Sequence, residues 1–352
     1  MATATATATD EPLGALLLEL LAPPGGDLDG AAAIAIARRL AGLFLDGADR
    51  AGRRPSLAPA TLERLRAAAR REAADDLAIA RETDEVLSLL ESLSPLIFKG
   101  RALAFEAWPR PELRPPGDLD LLAEPGAVAE AASRLRARGY RPAPREPPLP
   151  LRRPDTGTTL LPPPGRRLVV DLHERPFRSV GHRIDPARLL ARARPALVGG
   201  RAVRALDEAD RLLLVAVHAA KHGGRELKWL LDLHALARRA TEATWSRLAR
   251  RARATGTARP LWAALVLLDG LPGVALDGIL RALRPPPPWP RLLRSLIARE
   301  LAVAGAPLGR AQGYALEVAL EPSLPSRARM AAGLLARLAL AWMPVQKPGV
   351  RR

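Results

Sequence analysis

The sequence predicts an α+β protein, a mixed α/β core flanked by mainly helical N- and C-terminal regions. Three observations point there. Of the 352 residues 48% are apolar but only 3% aromatic, so Leu and Ala must fill the core, and both favour helices over a β-sandwich. Apolar residues recur at three- and four-residue spacing through residues 11–92 and again from 207 onward. Between those stretches short apolar runs alternate with helical patterns, the grammar of an α/β core.

The opening MATATATATDEP has no basic segment followed by an apolar one, so residues 1–10 read as a disordered lead-in rather than a secretory signal. The N-terminal region, 11–92, carries helical patterns in 13-LGALLLELLA-22, 31-AAAIAIARRLAGLFL-45 and residues 60–93, punctuated by Pro23-Pro24 and Pro55. The core spans 93–206. Its first strand is 95-PLIFKG-100, followed by a helix at 101-RALAFEAW-108. A turn rich in proline (Pro109, Pro111, Pro115, Pro116) leads to the strand 118-DLDLLA-123, and Gly139 stops the next helix, which starts at 126. Residues 141–165 read as a Pro-rich loop or ordered excursion, with strands at 157-GTTLLP-162 and 166-RRLVVDLHE-174 and a Gly-Gly hairpin in 196-ALVGGRAVRAL-206. Helices return over 207–284, and the run 285-PPPPWP-290 opens a last helical region to 352. In it 330-MAAGLLARLALAWMP-344 is broken by Arg337 and is shorter than the ~20 residues of a membrane span. It predicts an amphipathic or buried helix, with no transmembrane segment and a cytoplasmic protein.

A net charge of +17 suggests anionic ligands. Only four of the 54 basic residues are Lys (Lys99, Lys221, Lys228, Lys347), a pattern of GC-rich coding, and the arginines are scattered. With almost no aromatic platforms, this argues against nucleic acid as the primary ligand and for anionic phosphate ligands in general. The absence of Cys excludes disulfides, iron–sulfur clusters and a thiol nucleophile.

Asp118 and Asp120 are the candidate chemistry. On a strand, residues i and i+2 share a face, so the two carboxylates would stand side by side and repel unless a cation lay between them. The alternative is an Asp-rich turn after Pro-Pro-Gly, with Asp118 satisfying backbone N–H groups. His218 and His222, four apart on a predicted helix, could chelate a transition metal, though Ala-Ala-Lys between them lacks the base of a metalloprotease motif. They read equally as a core His218 and a helix-ending His222 near the negative dipole end. His173 shares a face with Asp171, two residues before it.

The order strand–Lys99-Gly100–helix–turn–Arg114–Asp118-Leu-Asp120, then a helix ending Gly139-Tyr140, then 171-DLH-173, then 218-HAAKH-222 with Trp229 and Asp232, resembles the uncharacterised nucleotidyltransferase family of the polymerase-β-like superfamily. The resemblance covers roughly residues 85–240. It implies a nucleotidyltransferase-fold sheet and transfer of a nucleoside monophosphate from an NTP, ATP foremost, to a hydroxyl of a small molecule, peptide or protein. Two Mg²⁺ ions would be held by Asp118, Asp120 and Asp171, the last also able to take the hydroxyl's proton. Lys99, Gly100, Arg114 and Lys221 would face the phosphates, with His173, His218 and His222 supporting the acids or the acceptor. The superfamily's usual Gly-Ser is Lys-Gly here, so its phosphate-touching hydroxyl is missing. A catalytically inert nucleotide- or protein-binding module of this fold and a metal-dependent hydrolase using the His helix are the alternatives.

Overall fold

The computed structural model describes residues 13–144, 157–177, 182–305, 307–325, 327–328 and 331–332. The lead-in over 1–10, residues 145–156 of the Pro-rich excursion, and all of 330–344 except Ala331 and Ala332 lie outside them.

The chain opens with α1 (Leu13–Leu21), α2 (Leu28–Ala37), α3 (Ala41–Arg50) and α4 (Pro59–Leu90). Asp27 caps α2 by accepting from the Gly30 N–H, and Pro59 sits in the first turn of α4, where no amide hydrogen is needed. The stretch 31–45, whose periodicity predicts one helix, is broken between α2 and α3. Arg39 takes φ +58°, and the N–H groups of Arg39 and Leu40 fold back onto the carbonyls of Ile36 and Ala35. Gly usually fills this left-handed position. Here Arg39 holds it, its guanidinium 2.7 Å from Asp75 of α4.

The sheet follows, built from β1 (Leu96–Ile97), α5 (Arg101–Ala107), β2 (Leu119–Leu122), α6 (Pro125–Ala137), β3 (Arg141–Pro142), β4 (Thr158–Leu161), β5 (Val170–His173), α7 (Pro186–Ala191), β6 (Arg194–Val198) and β7 (Arg201–Ala205). Its seven strands run in the order β3-β4-β5-β2-β1-β7-β6. β2 pairs parallel with β5 and antiparallel with β1, so it is central, and β1 pairs parallel with β7. The β6–β7 hairpin turns on Gly199 and Gly200, both at positive φ. Sequence patterning misses β3, a two-residue edge containing Pro, and the short α7 that Asp185 caps.

Eight helices complete the order among the described residues: α8 (Glu208–Lys221), α9 (Leu227–Arg239), α10 (Glu242–Ala254), α11 (Ala258–Val266), α12 (Asp277–Leu283), α13 (Trp289–Leu296), α14 (Arg299–Ala304) and α15 (Arg310–Leu320). None of the described helices is long and apolar enough to cross a membrane.

Alternation along β2 and β5 decides what each sheet face does. Leu119, Leu121, Val170 and Leu172 pack with Val86 and Leu90 of α4 and with Val128 and Leu135 of α6. On the other face Leu96, Phe98, Leu122 and Leu206 meet Leu189 and Leu190 of α7 and Leu214 of α8. A third cluster joins the two ends of the chain, with Leu17 and Phe44 packed into the same core as Leu213, Leu231 and Leu261. Each such burial contributes roughly 1.5–3 kcal/mol. The N-terminal helices are therefore fastened to α8, α9 and α11, which in turn frame the site.

Candidate active site

Across the β2–β5 ladder Asp120 lies opposite Asp171, and Leu122 opposite His173. Paired residues point to one side of a sheet, and side chains alternate along each strand. Asp120, Asp171 and His173 therefore share the face that the apolar anchors leave. Asp118 precedes β2, just after the Pro115-Pro116-Gly117 turn, and its carboxyl hydrogen-bonds that of Asp171. Ligand atoms of Asp120, Asp171 and His173 all lie within 4.8 Å of one another. The sequence grouped Asp118 with the other two acids and set His173 behind them. The geometry instead puts His173 among the closest donors and Asp118 one hydrogen bond away.

Two oxygens in this cluster, Asp120 Oδ2 and Asp171 Oδ1, are buried without a hydrogen-bond partner. Buried polar atoms are rarely left so, and converging carboxylate oxygens with an imidazole form a donor set for a divalent cation. The residues fit such an ion: Asp120, Asp171 and His173 would hold it, with Asp118 beside them.

The charges are arranged to match. The other oxygen of Asp120, Oδ1, lies 2.8 Å from Lys99 Nζ and 3.2 Å from His173 Nε2, whose ring stands edge-on to Phe98. Burial works against the Lys99 charge, but Asp120, Asp118 and Asp171 together hold its pKa above the ordinary value. Burial pushes Asp171 up to about 6; Asp120 and Asp118 add repulsion, and a hydrogen bond with Thr159 only partly offsets it. At Asp118 burial also acts upward, yet Lys99, the bond to Asp171 and Lys228 outweigh it and hold the carboxyl low. The two neighbouring acids are thus pushed apart, Asp118 downward and Asp171 upward, as crowded carboxylates are.

Residues 24–271 match the model of a family described as uncharacterised nucleotidyltransferase. The chain belongs to that family. No curated protein and no solved structure matches it. The match begins before α2 and runs past α11, so it spans α2–α4 and α8–α11 as well as the sheet. A cavity of about 660 Å³ opens elsewhere, lined by Leu20, Ile34, Arg38 and Val303 among others, but it gathers no acid cluster. Chemistry, not volume, makes the acid cluster on β2 and β5 the candidate site.

Gly100 ties the Lys-Gly motif to those acids. It caps α5 at φ +65° and ψ −113°, and a Cβ there would stand 2.8 Å from the Asp118 carbonyl oxygen and 3.8 Å from Asp120 Oδ2. Only glycine fits both the backbone angle and the gap. Gly100→Ala is expected to cost about 1–3 kcal/mol and to displace Asp118. Urea unfolding together with Mn²⁺ binding checks this, and an Ala variant matching the parent in both would refute the close-packing account.

The remaining predicted residues divide. Arg114 is almost fully buried and gives its guanidinium to Asp232 of α9, at 2.8 Å through Nε and 2.9 Å through Nη2. Trp108 Nε1 donates to the same carboxylate at 2.7 Å. Arg114 therefore clamps the 114–118 turn to α9, in contrast to the phosphate contact the motif suggests. Lys221 lies over the Phe177 ring at 4.8 Å. His218, His222 and Trp229 form a triangle with ring centroids 4.7–5.1 Å apart, and His222 ends α8 where Gly223 and Gly224 turn the chain back. Among the described residues these histidines join no third His, Asp or Glu in a metal-holding group. His218 does face the site: burial first, then Lys99, His222, Lys221 and Lys228, keep its pKa well below the ordinary value.

Sequence reading missed Lys228. It lies on α9, and a Cβ added to Gly117 would stand 4.0 Å from its Nζ. A signal for it existed. In a chain that uses Arg almost everywhere, three of the four lysines (Lys99, Lys221, Lys228) act on His218.

Proposed function

We propose that this nucleotidyltransferase moves a nucleoside monophosphate from an NTP, with ATP the expected donor, to a hydroxyl on a small molecule, peptide or protein in the cytoplasm. The observation that carries this reading is the pair of unpartnered buried oxygens, Asp120 Oδ2 and Asp171 Oδ1, aimed into one cluster of donors. Divalent ions bound there, two Mg²⁺ in this reading, would neutralise phosphate charge and stabilise the attacking and leaving oxygens. In-line phosphoryl transfer asks little else of a protein beyond positioning. Lys99 orients Asp120 through their ion pair, and His173 steadies the same oxygen. Asp171, when ionised, takes the proton of the acceptor hydroxyl. In this reading Lys221, His218 and His222 serve the phosphate or acceptor site, and pyrophosphate is the leaving group.

Calorimetry with ATP, with and without Mg²⁺, tests the assignment. Binding should strengthen in Mg²⁺ and be lost in Asp118→Asn; tight binding without metal that Asp118→Asn leaves unchanged would mark an inert module instead. Stoichiometric zinc lost in His218→Ala would favour hydrolysis. Incubation with labelled NTPs and a cell extract should yield a labelled product, which then identifies the acceptor class.

A further inference from the structure

The three cations that the motif offers to the phosphates each have a partner: Lys99 holds Asp120, Arg114 holds Asp232, and Lys221 lies over the Phe177 ring. Lys228 is different. Its side chain is half-buried, yet it makes no hydrogen bond or ion pair among the described residues. Its Nζ stands above Gly117, the residue before Asp118, where the backbone is exposed and has no side chain to cover it. Burial, then Arg114, make its charge harder to keep, and Asp232, Glu226 and Asp118 offset this only in part. Its position is nonetheless fixed. Asp232, one turn further along the same face of α9, takes both Arg114 and Trp108.

We propose that Lys228 binds the polyphosphate of the nucleotide, supplying the contact that the missing Gly-Ser hydroxyl would otherwise make. The assignment rests on the nucleotidyltransferase reading. An ammonium on a flexible stem is a compact charge with three donors, suited to phosphate oxygens beside a carboxylate–metal cluster. The rival role is neutralisation of Asp118 alone. That role predicts dependence of stability and metal binding on Lys228, and no selectivity for the length of the phosphate chain.

The test measures Mg·ATP, Mg·tripolyphosphate and AMP binding by calorimetry in the parent, Lys228→Met and Lys228→Arg, alongside Mn²⁺ binding and urea unfolding. Lys228→Met should weaken ATP and tripolyphosphate roughly 10–100-fold, the range for hydrogen bonds to charged groups. It should leave AMP and Mn²⁺ within about threefold and stability equal or higher, because a half-buried ammonium with no contact partner is gone. Lys228→Arg should recover part of the affinity. Lys228→Gln serves the same comparison where Met disturbs folding. Unchanged tripolyphosphate binding in the Met variant, or equal losses for AMP, Mn²⁺ and tripolyphosphate, overturns the assignment while the transferase reading stands. A parent protein that binds neither Mg·ATP nor Mg·tripolyphosphate overturns both.

Discussion

Asp120→Asn is expected to lower the transfer rate by at least about 10³-fold without unfolding the protein. Metal-borne charge stabilisation is worth several kcal/mol in such reactions, and each ~1.4 kcal/mol is a factor of ten. Asp120 is fully buried at the centre of the sheet, opposite Asp171, and contributes both the unpartnered Oδ2 and the oxygen that positions Lys99 and His173. Asn keeps the shape but removes the charge and turns one oxygen into a donor. Repulsion with Asp118 and Asp171 falls while Lys99 loses its counter-ion, so the two stability effects oppose each other. Single-turnover transfer of labelled nucleotide, with urea unfolding as the control for folding, reads the result. A folded variant that still transfers at a tenth of the parent rate would remove Asp120 from the chemistry.

How much of this was legible in the sequence depends on the range of the interaction. Period-two alternation in 118-DLDLLA-123 and 166-RRLVVDLHE-174 predicts two strands, each with its acids on one face, and the β2–β5 register aligns Asp120 with Asp171. The α+β class follows from the same patterns, with the helices α5, α6, α8 and α9 starting and ending within a few residues of the positions the sequence suggests. What patterning could not reach is pairing across long chain separations. Arg114 and Asp232 are 118 positions apart, and nothing local to the Pro-rich turn shows that the guanidinium has a carboxylate partner. Lys228 reads as one polar residue of an amphipathic helix until α9 is packed against Gly117. The break at Arg39 was hidden for another reason: its left-handed turn is held by an ion pair to Asp75 rather than by a glycine.

The Arg114–Asp232 contact sets a second large effect and separates two roles for Arg114. As a structural clamp, Arg114→Met should cost about 3–5 kcal/mol, because it leaves the Asp232 charge buried with only the Trp108 N–H for company. Asp232→Leu should cost a similar amount by stranding the guanidinium. The double variant, both partners now apolar, should recover most of the loss, since a buried ion pair is commonly matched by apolar packing of similar volume. What remains, about 1–3 kcal/mol, is the unsatisfied Trp108 indole N–H. A phosphate-binding Arg114 predicts a different pattern: near-parent stability for Arg114→Met, large loss of ATP affinity, and no rescue by the second substitution. Urea unfolding of the four proteins, with ATP titration of each, distinguishes the cases. The same cycle also bears on Lys228. If Asp232 is what fixes α9 beside Gly117, then Asp232→Leu should weaken tripolyphosphate binding even though it touches no ligand, and restored stability in the double variant should bring that binding back.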